Sequence, residues 1–192
     1  KTRWNSLNNI LGGGIPIGCT LTFGARPSIG KSTISNIIAF DLFECNPDKD
    51  IFVLYWTWEM PSYLQILRII SSIVELPISS LTGPNSELSD DTFNKIKALE
   101  QNIMDKNIMF FEVPTSPRDM VDFFTYTYEK YKDFYIVNFF DHTRLVGKNT
   151  DSIEEVKINN FMSMCNYINK EFKMTNIVLS QLNRKVEEDL TR

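Results

Sequence analysis

A phosphate-binding loop is the clearest chemical signal in this sequence. Residues 25–33 read ARPSIGKST and match the pattern [Ala/Gly]-x4-Gly-Lys-[Ser/Thr]. In such a loop, backbone N–H groups surround the β-phosphate, the lysine bridges the β- and γ-phosphates, and the next hydroxyl binds Mg²⁺. Glycine suits the position before the lysine because the backbone there approaches the phosphates closely. The residues expected to bind nucleotide are Ala25, Ser28, Ile29, Gly30, Lys31, Ser32 and Thr33, with Ser32 also a ligand of Mg²⁺.

Three further polar residues each follow a strongly apolar stretch. Asp141 ends FYIVNFFD, where a carboxylate can hold Mg²⁺ through water. Glu59 follows IFVLYWTW and is the candidate base that orients and deprotonates an attacking water. Gln181 ends NIVLSQ, where an uncharged amide can contact the γ-phosphate. Structural interpretations stay open beside these: a turn or helix-start acid for the two carboxylates, and a strand-end hydrogen bond for Gln181.

Strands and helices that alternate along the chain must position these residues. Unalternating apolar stretches predict buried strands at 19–23, 51–57, 107–113, 134–141 and 176–181. Helices are predicted from Gly30 onward, over 61–74, from about 90 to 105, over 117–131, and before the last strand. This order is typical of the α/β class with a mainly parallel sheet flanked by helices. Ligands of such sheets bind beyond the carboxyl ends of the strands, where the loop and all three polar residues fall.

Apolar residues at helical spacing predict the buried faces of the helices. In the helix after the loop they include Ile34, Ile37, Ile38 and 40–42. In the helix that begins near Asp90 or Asp91, its expected caps, they are Phe93, Ile96, Leu99 and Ile103. In the last helix they are Ile153, Val156, Phe161, Met164, Ile168 and Phe172.

Composition sets limits on the class of protein. The 192 residues carry a net charge of −4, so a contact with nucleic acid would need a local basic loop rather than a basic surface. No apolar run reaches the ~18 residues of a membrane span. Cys19, Cys45 and Cys165 are widely spaced and are interpreted as reduced core thiols of a cytosolic protein. The single histidine, His142, cannot build a metal site alone.

Four motifs together resemble one family. ARPSIGKST, WTWEM, FFDHTRLV and SQLNRKVEE occur in the order and rough spacing of the RecA-like motor domain of DnaB-type replicative DNA helicases. The opening TRWNSLNNILGGGIPIG is similar to the segment before the phosphate loop in that family, so the resemblance runs from about Thr2 to Glu188. It implies a RecA-like P-loop NTPase that uses ATP and Mg²⁺, forms a hexameric ring, and translocates on single-stranded DNA in the cytoplasm of a bacterial or phage-infected cell.

The resemblance also implies roles for individual residues. Lys31 and Ser32 would bind phosphate and Mg²⁺, and Glu59 would be the catalytic carboxylate. Asp141 would be the Walker B acid, and Gln181 the sensor that links hydrolysis to movement of a DNA-binding loop. The polar loop at 147–152, with Lys148 its only cation, is placed like a loop that faces the DNA channel.

The chain departs from the family pattern at several points. Trp56 and Trp58 stand where the family has smaller residues, and they are expected to pack in the core or an interface rather than stack on bases. The family's arginine finger lies beyond the SQLNR motif, and Arg184 belongs to that motif. We expect residues 1–192 to form a single RecA-like ATPase domain, truncated at its C-terminus and lacking the helicase N-terminal domain. Such a fragment would bind ATP and hydrolyse it poorly alone.

Two other functions fit the same phosphate chemistry. A RecA-fold ATPase could use nucleotide to control oligomer assembly or strand exchange without unwinding a duplex. A small-molecule P-loop kinase is the weaker alternative, because the sequence has no second-substrate lid and no arginine-rich clamp.

Overall fold

The structure is a computed structural model, which describes residues 1–83, 88–141 and 154–182. The strands are Thr20–Ala25 (β1), Ile51–Thr57 (β2), Ile108–Phe111 (β3), Tyr135–Asp141 (β4) and Thr175–Gln181 (β5). The helices are Asn5–Ile10 (α1), Lys31–Glu44 (α2), Ser62–Val74 (α3), Ile78–Thr82 (α4), Asp90–Met104 (α5), Pro117–Lys130 (α6) and Glu154–Phe172 (α7). None of the helices in these ranges is long and apolar enough to cross a membrane.

The strands form one parallel sheet in the order β1-β5-β4-β2-β3. This confirms the predicted α/β class with a parallel sheet flanked by helices. The register pairs Ala25 with Gln181 and Thr57 with Asp141, so the carboxyl ends of four neighbouring strands lie side by side. The residues that follow those ends are therefore brought to one edge of the sheet.

Both faces of the sheet are buried, as its unalternating apolar strands predict. Successive side chains of β2 point to opposite faces. Phe52, Leu54 and Trp56 join one core cluster, and Ile51, Val53 and Tyr55 join the other. Helices α6 and α7 cover the first cluster through residues such as Phe124 and Phe161, and α2 covers the second through Ile38 and Leu42.

The two tryptophans of the WTWEM motif belong to the core. Trp56 is 2% exposed and stacks on Phe111, with ring centroids 4.2 Å apart, and on Phe140 at 6.0 Å. Trp58 is 8% exposed and packs beside Trp56. The expectation of core packing is confirmed, because rings this deeply buried offer no face to a nucleobase.

An ion pair holds the start of the chain against α2. The Arg3 backbone N–H donates to Asp41 Oδ2 at 2.9 Å, and the guanidinium contacts Asp41 Oδ1 at 2.7 Å through both Nε and Nη2. Asp41 is buried and the Arg3 side chain is about half exposed. The pair raises the pKa of Arg3 through its hydrogen bond to Asp41. These contacts fix the segment that leads into α1, a helix the sequence patterns do not predict.

Several predicted buried positions are wrong. Ile34, Phe93 and Val156 are exposed, and they lie near the first turns of α2, α5 and α7, where the helices extend past their neighbours. Ser89 caps α5 in place of Asp90 or Asp91, since its hydroxyl accepts from the Thr92 N–H at 3.3 Å. Ile153 lies outside the described residues.

The cysteines are free thiols, and only one of them lies in the core. Cys165 is fully buried, and burial raises its pKa to about 12. Cys19 and Cys45 are only partly buried, which corrects the prediction of three core thiols. They lie near the ends of secondary-structure elements, where apolar sequence context gives a poor guide to burial.

Candidate functional site

The phosphate loop connects β1 to α2 and needs unusual backbone conformations. Gly30 is the N-cap of α2 with φ of 94°, and Ser28 has φ of 63°. A Cβ at Gly30 would meet no atom within 4 Å, so within this chain the left-handed backbone alone makes glycine necessary there. The first turn of α2 contains no acidic residue, which leaves its N-terminal N–H groups and their positive field available for an anion.

The Lys31 ammonium lies over the loop that precedes it. Its Nζ donates to the Ala25 carbonyl oxygen at 3.0 Å, and the Leu182 N–H donates to the same oxygen at 3.1 Å. Ala25 therefore contributes its backbone carbonyl to the site, a role that its small side chain permits. This contact positions the ammonium at the mouth of the loop.

A cavity of about 580 Å³ opens beside the loop, at the carboxyl edge of the sheet. The sequence-predicted residues that line it are Ser28, Gly30, Lys31, Ser32, Thr33, Glu59 and Gln181. Arg26, Lys31 and Arg68 supply three positive charges among the lining residues, against the single carboxylate of Glu59. This balance favours a polyphosphate ligand. Ile29, which is largely exposed, and Asp141 do not line the cavity.

Asp141 lies at the end of β4 and is 1% exposed. Its backbone carbonyl accepts from the Trp58 N–H at 3.0 Å, and its Oδ2 lies 3.5 Å from Gln65 Nε2. Burial raises the pKa of Tyr55, and the charge of Asp141 adds to that rise. The Tyr55 hydroxyl therefore stays protonated, and it donates to Ser35 Oγ on α2 at 2.9 Å.

Hydrogen bonds fix the turn that presents Glu59. The Thr57 hydroxyl donates to the Met60 carbonyl oxygen across the turn. The Ser62 N–H donates to Glu112 Oε1 at 2.8 Å, so an acid that follows β3 caps the start of α3. Bonds from Ser62 to Glu112 lower the pKa of that carboxyl and keep it ionised. Glu59 is exposed toward the cavity from a turn held at both ends.

Helix α3 contributes residues that the sequence motifs do not indicate. Arg68, Ser71 and Ser72 line the cavity, while Gln65 is fully buried behind it. Residues 65, 68 and 72 share one helix face because they are spaced three and four apart. A polar stripe on a helix that is otherwise apolar, directly after Glu59, is the signal that could have identified them.

Some predicted features lie outside the described residues. These are the polar loop at 147–152 with Lys148, His142, and the part of the SQLNR motif that contains Asn183 and Arg184. Within the described ranges, no group of three or more His, Cys, Asp or Glu side chains could hold a metal ion. A cation here would need oxygen ligands from a bound phosphate as well as from the chain. That arrangement is typical of Mg²⁺.

Comparison with known proteins adds to this geometry. The model of the DnaB-like helicase C terminal domain family matches residues 1–192. No curated protein matches the chain by sequence.

Two solved structures share the fold. One is a DnaB-like replicative helicase, solved together with its interactions with primase, with a TM-score of 0.82 over 98% of this chain at 18% identity. Another is an isolated ATPase domain, with a TM-score of 0.81 over 98% of this chain, also at 18% identity. The chain spans 45% of the first protein and 66% of the second. It belongs to the DnaB-like helicase C terminal domain family and has the RecA-like P-loop fold that the motifs predict.

Proposed function

We propose that this chain is the ATP-driven motor domain of a replicative DNA helicase, and that residues 1–192 form one RecA-like ATPase domain. The observation that carries the proposal is the cavity at the carboxyl edge of the sheet. The phosphate loop, Glu59 and Gln181 converge on it from three different strand ends. Family membership supports the direction of the chemistry, from nucleotide hydrolysis to movement on DNA.

The phosphate loop would bind ATP through its backbone and Lys31. The N–H groups at the start of α2 would donate to the β-phosphate, together with loop residues from Ser28 to Thr33. Lys31 would exchange the Ala25 carbonyl for the β- and γ-phosphate oxygens. Arg68, across the cavity, provides a second cation for the γ-phosphate end, where a planar guanidinium can pair with two oxygens.

Ser32 and Asp141 fit the requirements of Mg²⁺. One offers a hydroxyl oxygen and the other a carboxylate, and a hard cation of this kind prefers oxygen ligands. Ser32 would bind directly and Asp141 through water, because Asp141 lies behind the cavity lining. The bound ion would neutralise charge on the phosphate oxygens during transfer.

Glu59 would act as the base for hydrolysis. Its carboxylate would accept a proton from water as that water attacks the γ-phosphorus in line with the leaving oxygen. Gln181, on the neighbouring strand end, would donate its amide N–H to the γ-phosphate and lose that bond when phosphate leaves. Movement of Gln181 would then pass along the chain to residues 183 onward, which follow β5 directly.

The assembled protein would work as a ring, with hydrolysis at subunit interfaces in the cytoplasm. We propose a hexamer that encloses single-stranded DNA, with the segment at 147–152 facing the strand. The net charge of −4 gives no general attraction to DNA, so local contacts would carry the binding.

Unwinding of a forked duplex by the intact protein tests this proposal against the non-unwinding alternative. Strand displacement is expected to require ATP and a single-stranded tail, and to disappear in Lys31→Ala. ATP hydrolysis that assembles the protein without displacing a strand would instead support a RecA-fold ATPase of the oligomer-controlling class.

A further inference from the structure

Gln65 makes the most connected buried polar contact behind the proposed site. Its side chain is completely buried on α3. Oε1 accepts from Asn36 Nδ2 on α2 at 2.7 Å, and Nε2 donates to Thr57 Oγ1 at the end of β2 at 3.0 Å. The same nitrogen lies 3.5 Å from Asp141 Oδ2 at the end of β4. One amide therefore joins the helix of the phosphate loop to two strand ends.

The orientation of this amide follows from its neighbours. With Nε2 toward Asp141, the two N–H groups face a hydroxyl and a carboxylate, both of which accept. A flipped amide would place Oε1 against the carboxylate, which is repulsive in a buried site. The orientation that faces Asp141 thus requires Asn36 to present Nδ2 rather than its own oxygen. Asn36 is 1% exposed, and its Oδ1 has no hydrogen-bond partner in the described part of the chain.

The network also reaches the turn that carries Glu59. The Thr57 hydroxyl that accepts from Gln65 donates to the Met60 carbonyl oxygen, one residue past Glu59. A displacement of Gln65 would therefore be felt at Asp141 and at the base together. Hydrogen bonds of a catalytic site often shorten when substrate binds, and the 3.5 Å separation leaves room for this.

We infer that Gln65 is a positioning residue for hydrolysis, which orients the Asp141 carboxylate toward the cation and the Thr57–Met60 turn toward the water. The inference rests on the proposed function. Gln65 touches neither nucleotide nor cation in this account, since it is buried behind the cavity lining. Outer groups of this type set the direction of a ligand's lone pairs and the strength of metal binding.

The test compares Gln65→Met with a matched control in the intact protein. Methionine fills a similar volume and removes all three hydrogen bonds. Gln101→Met is the control, because Gln101 lies on the exposed side of α5 and bonds only to the nearby Asp105 in the described structure. Three quantities are measured: kcat and KM for ATP hydrolysis, and the Mn²⁺ dissociation constant with ADP present, read by electron paramagnetic resonance.

Gln65→Met is expected to lower kcat by roughly 10- to 100-fold and to weaken Mn²⁺ binding about tenfold. KM for ATP should change less than about threefold, because the phosphate loop is intact. Gln65→Glu should lose at least as much kcat, since its carboxylate would face that of Asp141 in a buried site. A folded Gln65→Met protein with kcat and Mn²⁺ affinity equal to the Gln101→Met control would overturn the inference.

A second variant covers the case in which Gln65→Met does not fold. Thr57→Val keeps the shape of the side chain and removes the hydroxyl between Gln65 and Met60; kcat should fall by about tenfold. Unchanged kcat and Mn²⁺ affinity in Thr57→Val would also overturn the inference. A parent protein that fails to hydrolyse ATP would contradict the proposed function instead, and the Mn²⁺ comparison would still decide the role of Gln65.

Discussion

At Lys31 a single ammonium group links the loop to its ligand. Lys31→Ala removes a charge-assisted contact worth about 1.5–3 kcal/mol, so ATP affinity should fall by roughly 10- to 150-fold. The fold should persist, because Lys31 is half-buried and its Ala25 contact ties only the loop to itself. Calorimetric titration with ATP checks this, with Lys95→Ala on the exposed face of α5 as the control. Equal affinities in the two variants would rule out the loop assignment.

The role assigned to Glu59 predicts a separation of binding from turnover. Glu59→Gln keeps the shape of the side chain and removes the proton acceptor, so ATP binding should remain while hydrolysis slows by roughly 10²–10⁴-fold. Single-turnover hydrolysis measures the loss, and Glu100→Gln, an exposed residue of α5, should leave the rate unchanged. Near-normal turnover in Glu59→Gln would place the base at another residue.

At the scale of elements, the Arg3 pair should matter more than most surface charges. Arg3→Ala leaves Asp41 almost completely buried without its guanidinium partner. A hydrogen-bonded charged group of this kind contributes about 1.5–3 kcal/mol, and the half-exposed arginine places the loss toward the lower end. Urea unfolding measures the change, with Lys49→Ala as control because its pair with Asp48 is exposed. Identical midpoints for the two variants would show that α1 is held by its apolar contacts alone.

The sequence predicts the long elements well and the short ones poorly. Strands such as β2 and β4 follow directly from apolar stretches that are buried on both faces, and their ends place Glu59 and Asp141 correctly at the sheet edge. Helices α1 and α4 span six and five residues, too short for a periodic pattern to stand out from the surrounding loops. Their formation depends on tertiary contacts that no local signal contains.

The candidate site was predictable where motifs name residues, and not where the fold supplies them. The loop, Glu59 and Gln181 share one cavity as expected. Arg68 and Gln65 reach the same region only because α3 packs along α2 behind the edge of the sheet. Asp141 lies deeper than its motif suggests, and its burial makes the contact with Gln65 important.

At the scale of the whole molecule, the strand order gathers the chemistry. Strands β1, β5, β4 and β2 are neighbours, and their carboxyl ends present the loop, Gln181, Asp141 and the turn of Glu59 in that sequence. Gln181 therefore lies between the phosphate loop and the strand of Asp141. A change at the γ-phosphate is transmitted first to β5, whose continuation leaves the sheet on the side of the cavity.

The rate of ATP hydrolysis by the intact protein, with and without single-stranded DNA, tests the central claim most directly. A DNA-translocating motor couples its nucleotide site to the strand it encloses, so saturating single-stranded DNA should raise kcat several-fold. Duplex DNA of the same length should have little effect, and Glu59→Gln should abolish both rates. Hydrolysis that is unaffected by single-stranded DNA would contradict the helicase motor, whereas stimulation that is lost in Glu59→Gln is the result this account predicts.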